Sequence, residues 1–257
     1  MLIPTYDYFE NLRQYNKWVA STTRAFWENP LFGLYPSPIP STLAAWGKVT
    51  EHSLSRITSK PDWGIDSVIS DGIEYLVALE TIKELPFCKL IKFKSTRRKK
   101  IDRKVLIIAP MSGHYATLTR NTVISLLPNC DVYVTDWKNA RDVPFSAGKF
   151  DIEDFTKYLV DFFGDLSPDL NVMAVCQPAP LALAAAAITS ERFPEFNPKS
   201  LTLIGGPIDP DANPTDVTDF GRRTSMEALE STVTMPVGLN YKGVGREVYP
   251  GAIQLAS

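Results

Sequence analysis

The sequence predicts an α/β protein: a mostly parallel sheet flanked by helices, with a helical N-terminal extension. Three observations predict it. From residue 104 short apolar runs alternate with amphipathic stretches, and strands that alternate with helices build a parallel sheet covered on both faces. The runs are KVLIIAP (104–110), DVYVTDW (131–137), NVMAV (171–175) and SLTLIG (200–205). Before residue 60, aromatic and aliphatic residues recur at helical spacing instead. Third, the run at 172–175 stops at one cysteine, Cys176, and a small-residue helical pattern begins at once.

The elements follow in chain order. Tyr8, Phe9, Leu12, Tyr15, Val19 and Phe26 predict a helix over residues 1–28. NPLFGLYPSPIPS (29–41) holds too many prolines for a helix or a central strand and reads as a linker, with a second helix over 42–58. FCKLIKFK (87–94) mixes apolar residues with lysines in the manner of an edge strand, and STRRKKIDRK (95–104) reads as a solvated basic hairpin turn. After the first parallel strand a helix is expected from His114 to Leu127. A longer one is expected from Asp151, its N-cap, to about Leu166, with Ile152, Phe155, Leu159, Phe162, Phe163 and Leu166 on one face. Ala179–Ser190 is the helix behind NVMAV. DPDANPTDVTD (209–219) reads as a loop, with a short helix over 225–233. The expected division is a helical extension at 1–85, the α/β core at 86–210, and a region covering the site from 211 to 257.

Composition excludes several roles. The 257 residues are 44% hydrophobic, enough for a real core. A net charge of −2 gives no electrostatic case for nucleic acid. No apolar run approaches the roughly 20 residues of a membrane span, and the N-terminus lacks the basic flank and apolar stretch of a secretory signal. Cys88, Cys130 and Cys176 are an odd number without framework spacing, which fits a reducing compartment and hence the cytoplasm. No His/Cys/Asp cluster has ligand spacing, so neither a metal nor an organic cofactor is implied.

A strand turning sharply into a helix, with a nucleophile on the turn, is the nucleophile elbow of α/β-hydrolases. The turn is crowded, so its neighbours must be small or pre-bent: Ala174 is small, and Pro178 suits a first helical turn. Cys176 then sits at the positive end of a helix dipole. The other reading of a strand-end cysteine is inert packing. PMSGHYATL (110–118) follows the first parallel strand, where a glycine-containing loop supplies one oxyanion-hole N–H. That donor is assigned to Ser112 with Gly113 nearby, and the second to Gln177. His114 falls in this loop rather than in the late loop where the fold places its base, so it is read as ordering the loop or contacting substrate. His52, the only other histidine, reads as a surface or capping residue. Asp136 and Asp209 stand at strand ends too early for the triad acid, and Trp137 reads as core or cleft wall.

APMSGHYATL, DVYVTDWKNAR, AVCQP and LIGGPIDPDANPT together resemble the intracellular poly(3-hydroxybutyrate) depolymerases, over about residues 100–255. GREVYPGAIQL (245–255) resembles the start of the segment that covers that family's active site. The resemblance implies an α/β-hydrolase fold, a cysteine nucleophile at Cys176, hydrolysis of a storage polyester, and polymer granules as partner. The family's catalytic aspartate and histidine lie downstream of that segment, and no residue here matches them. The resemblance therefore implies a fold incomplete at its C-terminus, a sheet edge left unpaired, a C-terminal fragment as possible partner, and impaired turnover by the truncated chain alone. Two other readings stand beside it. A polyester synthase-like acyltransferase also uses an elbow cysteine, though with glycines on both sides where Ala174 and Pro178 stand here. A catalytically inactive granule-associated remnant would need no histidine.

Overall fold

The protein is described by a computed structural model covering residues 5–34, 37–56, 60–97, 103–111 and 115–251. Seven strands form one sheet: β1 (Ser67–Ser70), β2 (Ile73–Glu84), β3 (Cys88–Ser95), β4 (Lys104–Ile108), β5 (Asp131–Trp137), β6 (Leu170–Val175) and β7 (Ser200–Ile204). Their order is β1-β2-β3-β5-β4-β6-β7. β1, β2, β3 and β5 pair antiparallel, whereas β5, β4, β6 and β7 pair parallel. The parallel half is the half expected from residue 104 onward.

The central strands need apolar residues on both faces because helices cover both. Leu106, Ile107 and Ile108 of β4 and Val132 and Val134 of β5 are fully buried. One face packs on Ala116, on Val123 of α3 (Arg120–Leu126) and on Leu127. The other packs on α4 (Ile152–Leu166) and α5 (Ala179–Arg192). Asp151 caps α4 by accepting from the N–H groups of Glu153 and Asp154, and Asp154 accepts from the N–H of Asp151 in return. This reciprocal cap starts the helix where the sequence predicts. Phe155, Leu159, Phe162, Phe163 and Leu166 are buried as expected, each worth roughly 1.5–3 kcal/mol of apolar burial. Ile152 departs from that face: in the first turn it is 68% exposed. α5 lays Ala179, Ala182, Ala185 and Thr189 on the sheet, where small side chains allow close approach.

Four expectations are corrected. Residues 1–85 are not all helical, because β1 and β2 extend the sheet. They are joined through Asp71 and Gly72, both at positive φ, the Asp-Gly pair that two-residue hairpins favour. FCKLIKFK is no edge: β3 lies between β2 and β5, with Cys88, Leu90, Ile91 and Phe93 buried. Its lysines suit an interior strand because their heads reach carboxylates on both neighbours. Lys89 pairs with Glu84, Lys94 with Glu80 and Lys92 with Asp131. β3 and β4 form no hairpin, since β5 lies between them; of the expected turn at 95–104, residues 98–102 lie outside the described residues. Finally, the expected loop at 209–219 runs into helix α6 (Asp216–Arg223), capped by Thr215, with α7 (Met226–Val233) after it.

The N-terminal region is a pair of packed helices, α1 (Thr5–Trp27) and α2 (Ile39–Arg56). The expected linker contributes a 3-10 turn at Pro30–Leu34, and α2 starts earlier than residue 42. At the far side of the sheet β7 is the edge among the described residues, and its side chains alternate exposed with half-buried.

Candidate active site

β6 ends at Val175 and α5 begins at Ala179, leaving three residues for a complete change of direction. Cys176 absorbs it. Its φ is +64°, one of three non-glycine residues in the left-handed region among those described. A residue with a Cβ occupies that region only when its surroundings enforce it, and such strain concentrates at functional sites. The enforcement is visible. The Cys176 N–H donates to the carbonyl of Ile204 at 2.7 Å, and the Cys176 carbonyl accepts from the Ala179 N–H at 3.1 Å. Gly206, just past β7, presses against the turn: a Cβ there would lie 2.1 Å from the Ala179 Cβ and 2.8 Å from the Cys176 carbonyl oxygen. Ala174 and Pro178 are both buried beside it.

The result is an exposed thiol. The other two are enclosed. Burial pushes the Cys88 thiol well above its ordinary range, and burial also raises that of Cys130. Cys176 is therefore the cysteine that solvent and substrate can reach. Gln177 ties the turn to the loop following β4, its Oε1 accepting from the Met111 N–H at 3.2 Å. The elbow and the expected oxyanion loop are thus in direct contact. Ser112, Gly113 and His114 lie outside the described residues.

The remaining candidates separate. His52 is exposed on α2. Asp209 is exposed and accepts from the N–H groups of Asp211 and Ala212, a local turn. Trp137 is core: its Nε1 donates to the Ala109 carbonyl at 2.9 Å, and its ring stacks on Phe155 at 4.2 Å. Asp136 is buried and paired with Lys60. Among the described residues none hydrogen bonds the Cys176 sulfur, and none forms a His/Cys/Asp/Glu group able to hold a metal.

Two anchors escaped the sequence reading. Arg246, buried, donates to the carbonyls of Pro144 and Gly148 at 2.7 Å each and lies over the Phe87 ring, fastening the 235–248 segment to the loop after β5. Asp7 of α1 accepts from the Leu239 N–H at 2.9 Å, against Gly238, where any Cβ would overlap its carboxylate. Beside them Arg141 meets Tyr6 at 3.1 Å and stacks over Tyr241, whose phenol is pushed up to about 12, chiefly by burial. Only the spacing-free signals of one arginine and one glycine mark these contacts in the sequence.

Comparison with known proteins adds to the geometry. The PHB de-polymerase C-terminus family matches residues 205–257. No curated protein matches the chain. Among solved structures, an esterase of Pyrobaculum calidifontis shares 18% identity over 59% of this chain and 59% of its own, with a TM-score of 0.40. An arylesterase shares 12% over 77% and 64%, at 0.42. An alpha/beta hydrolase enzyme from the metagenome of Lake Arreo, Spain, shares 15% over 79% and 60%, at 0.38. The chain spans about three fifths of the length of these structures. No helix among the described residues is long and apolar enough to cross a membrane. Residues 205–257 are thus similar to the C-terminal part of PHB depolymerases, and they follow directly on a half-parallel sheet with a sharp strand-to-helix turn at Cys176.

Proposed function

We propose that this chain carries the nucleophile of a carboxylic ester hydrolase whose substrate is intracellular poly(3-hydroxybutyrate). The observation that supports it most is the exposed Cys176 thiol on a left-handed turn, in contact through Gln177 with the loop after β4. In the proposed reaction a base removes the thiol proton and the sulfur attacks an ester carbonyl carbon. Negative charge develops on the carbonyl oxygen, for which the backbone N–H of Gln177 and that of Ser112, beside Gly113, are the proposed donors. Collapse breaks the C–O bond, and the alcohol end of the polymer leaves with a proton. Water then cleaves the thioester, releasing the acid and restoring the thiol.

The proposed source of the base is a histidine from a C-terminal fragment, His114 ordering the loop or contacting substrate. Without it the chain is a granule-associated remnant. The proposed partner is the polymer surface in the cytoplasm, and the outward aromatic face of α1 suits contact with an apolar polymer. Acid release from amorphous granules, with and without added C-terminal fragment, tests the reading. Activity lost in Cys176→Ala supports it. Activity that survives Cys176→Ala overturns it.

A further inference from the structure

The outward face of α1 repeats every seven residues. Leu12, Val19 and Phe26 form one series, and Tyr8, Tyr15 and Thr22 form the other. Spacings that alternate four and three are those of the two seam positions of a coiled coil. A mean period of 3.5 residues keeps one stripe against a second helix along its whole length. The opposite side of α1 holds every charge of the helix: Asp7 and Glu10 are buried, and Arg13, Lys17 and Arg24 are half-buried. The residues flanking the seam, Phe9, Asn11, Asn16, Trp18, Thr23 and Ala25, carry no charge. A lipid surface would call for basic residues beside the apolar face, and this one has none. The Thr22 hydroxyl is satisfied within the helix, donating to the Trp18 carbonyl at 2.8 Å.

The area on offer suits a second helix. Tyr8, Phe9, Leu12, Tyr15, Trp18 and Phe26 are each between 45% and 61% exposed. At about half of the roughly 150–250 Å² that large side chains can bury, they present about 600 Å² per copy. Two copies would bury about 1,200 Å², above the roughly 1,000 Å² that a specific interface needs and at the weak end of the size range. We propose that α1 pairs with α1 of a second copy of this chain, antiparallel about a two-fold axis level with Lys17. Tyr15 then faces the partner's Val19, Leu12 the partner's Thr22 and Tyr8 the partner's Phe26, so large meets small in the layers nearest the axis. A parallel pair would instead set tyrosine on tyrosine and align the two helix dipoles. A polymer surface asks only for apolar area and accounts for neither the seven-residue repeat nor this self-complementarity. Paired copies withhold the face from the polymer, so granule contact through α1 belongs to the separated chain. None of these residues belongs to the elbow, and the pairing stands apart from the ester-hydrolase reading.

Sedimentation equilibrium of the full 257-residue chain, from about 1 to about 200 micromolar, tests this. A reversible equilibrium between monomer and dimer is expected. Tyr15→Glu, at the middle of the seam, is expected to weaken it about tenfold with an unchanged circular dichroism spectrum. Oxidative disulfide trapping reads the orientation, in a Cys176→Ala background that removes the exposed native thiol. On antiparallel helices paired about Lys17, the two copies of residue 12 lie about 15 Å apart along the axis, beyond the reach of a disulfide. Leu12→Cys mixed with Thr22→Cys is therefore expected to yield a covalent dimer, and Leu12→Cys alone none. A chain that stays monomeric throughout, a dimer indifferent to Tyr15→Glu, or Leu12→Cys trapped with itself overturns the proposal. A monomer that sediments with amorphous polymer granules, and no longer does so as Tyr15→Glu, gives the stripe to the polymer and overturns it as well.

Discussion

The α/β body and the α1–α2 hairpin solve the problem of solubility in opposite directions. In the body, apolar side chains turn inward and charges line the surface. Leu106, Ile108, Leu159 and Phe162 are fully enclosed. In the hairpin the order is reversed. Ala20, Ala44 and Gly47 form the helix contact, and the charged residues Glu10, Arg13, Arg24 and Glu51 are turned toward the interior. Tyr8, Leu12, Tyr15, Trp18 and Phe26 of α1, with Trp46 and Val49 of α2, face outward, Trp18 being 61% exposed. The body owes its cohesion to removing apolar area from water. The hairpin owes its own to a close small-residue crossing and to the Arg24–Glu51 ion pair at 2.7 Å. A chain with two such regions has two stabilities, and they respond to different substitutions.

The largest expected effect lies in the body. Phe162→Ala removes a fully buried ring and costs about 3–5 kcal/mol, measured by denaturant unfolding. A loss below about 1 kcal/mol would erase the contrast. Gly206→Ala comes next, because its Cβ overlaps Ala179 and must push the elbow. About 1–3 kcal/mol of destabilisation and an altered alkylation rate of Cys176 are expected. Gly47→Ala places a Cβ 2.8 Å from the Ala20 carbonyl and 2.9 Å from the Arg24 nitrogen. Hydrogen exchange should accelerate in α1 and α2 while the sheet keeps its protection.

A pH change sharpens the same division. Burial alone would raise the pKa of Glu10, yet hydrogen bonds from Arg13 and Gln14 outweigh it and hold the carboxyl below its usual range. A depressed carboxylate contributes stability that is present above the unfolded pKa, near 4.5, and is lost as pH falls through the folded value. α1 should therefore loosen below about pH 4.5 as this anchor is protonated, read from its amide exchange. The smallest effect on stability is at the outward face: Trp18→Glu should change unfolding free energy by less than about 0.5 kcal/mol while lowering the binding of apolar dyes.

The parallel half of the sheet was legible because each of its strands is a short apolar run ending in a turn. The elbow was legible because a strand and a helix leave so little chain between them that Cys176 has to turn. β2 was not, because it has no sustained buried face: of its twelve residues only Val77 is buried. Its hairpin with β1 was marked by Ser70-Asp71-Gly72-Ile73, a turn signature whose meaning depends on strands too exposed to recognise. β3 misled because lysine is normally a mark of solvent, and pairing across strands is invisible along a chain.

Gly206 has one more implication. The glycine that props the thiol-bearing turn is also the second residue of the 205–257 segment, and Arg246 and Asp7 hold that segment farther along. Any displacement of the chain at Gly206 therefore shifts the backbone that sets the direction of the Cys176 side chain.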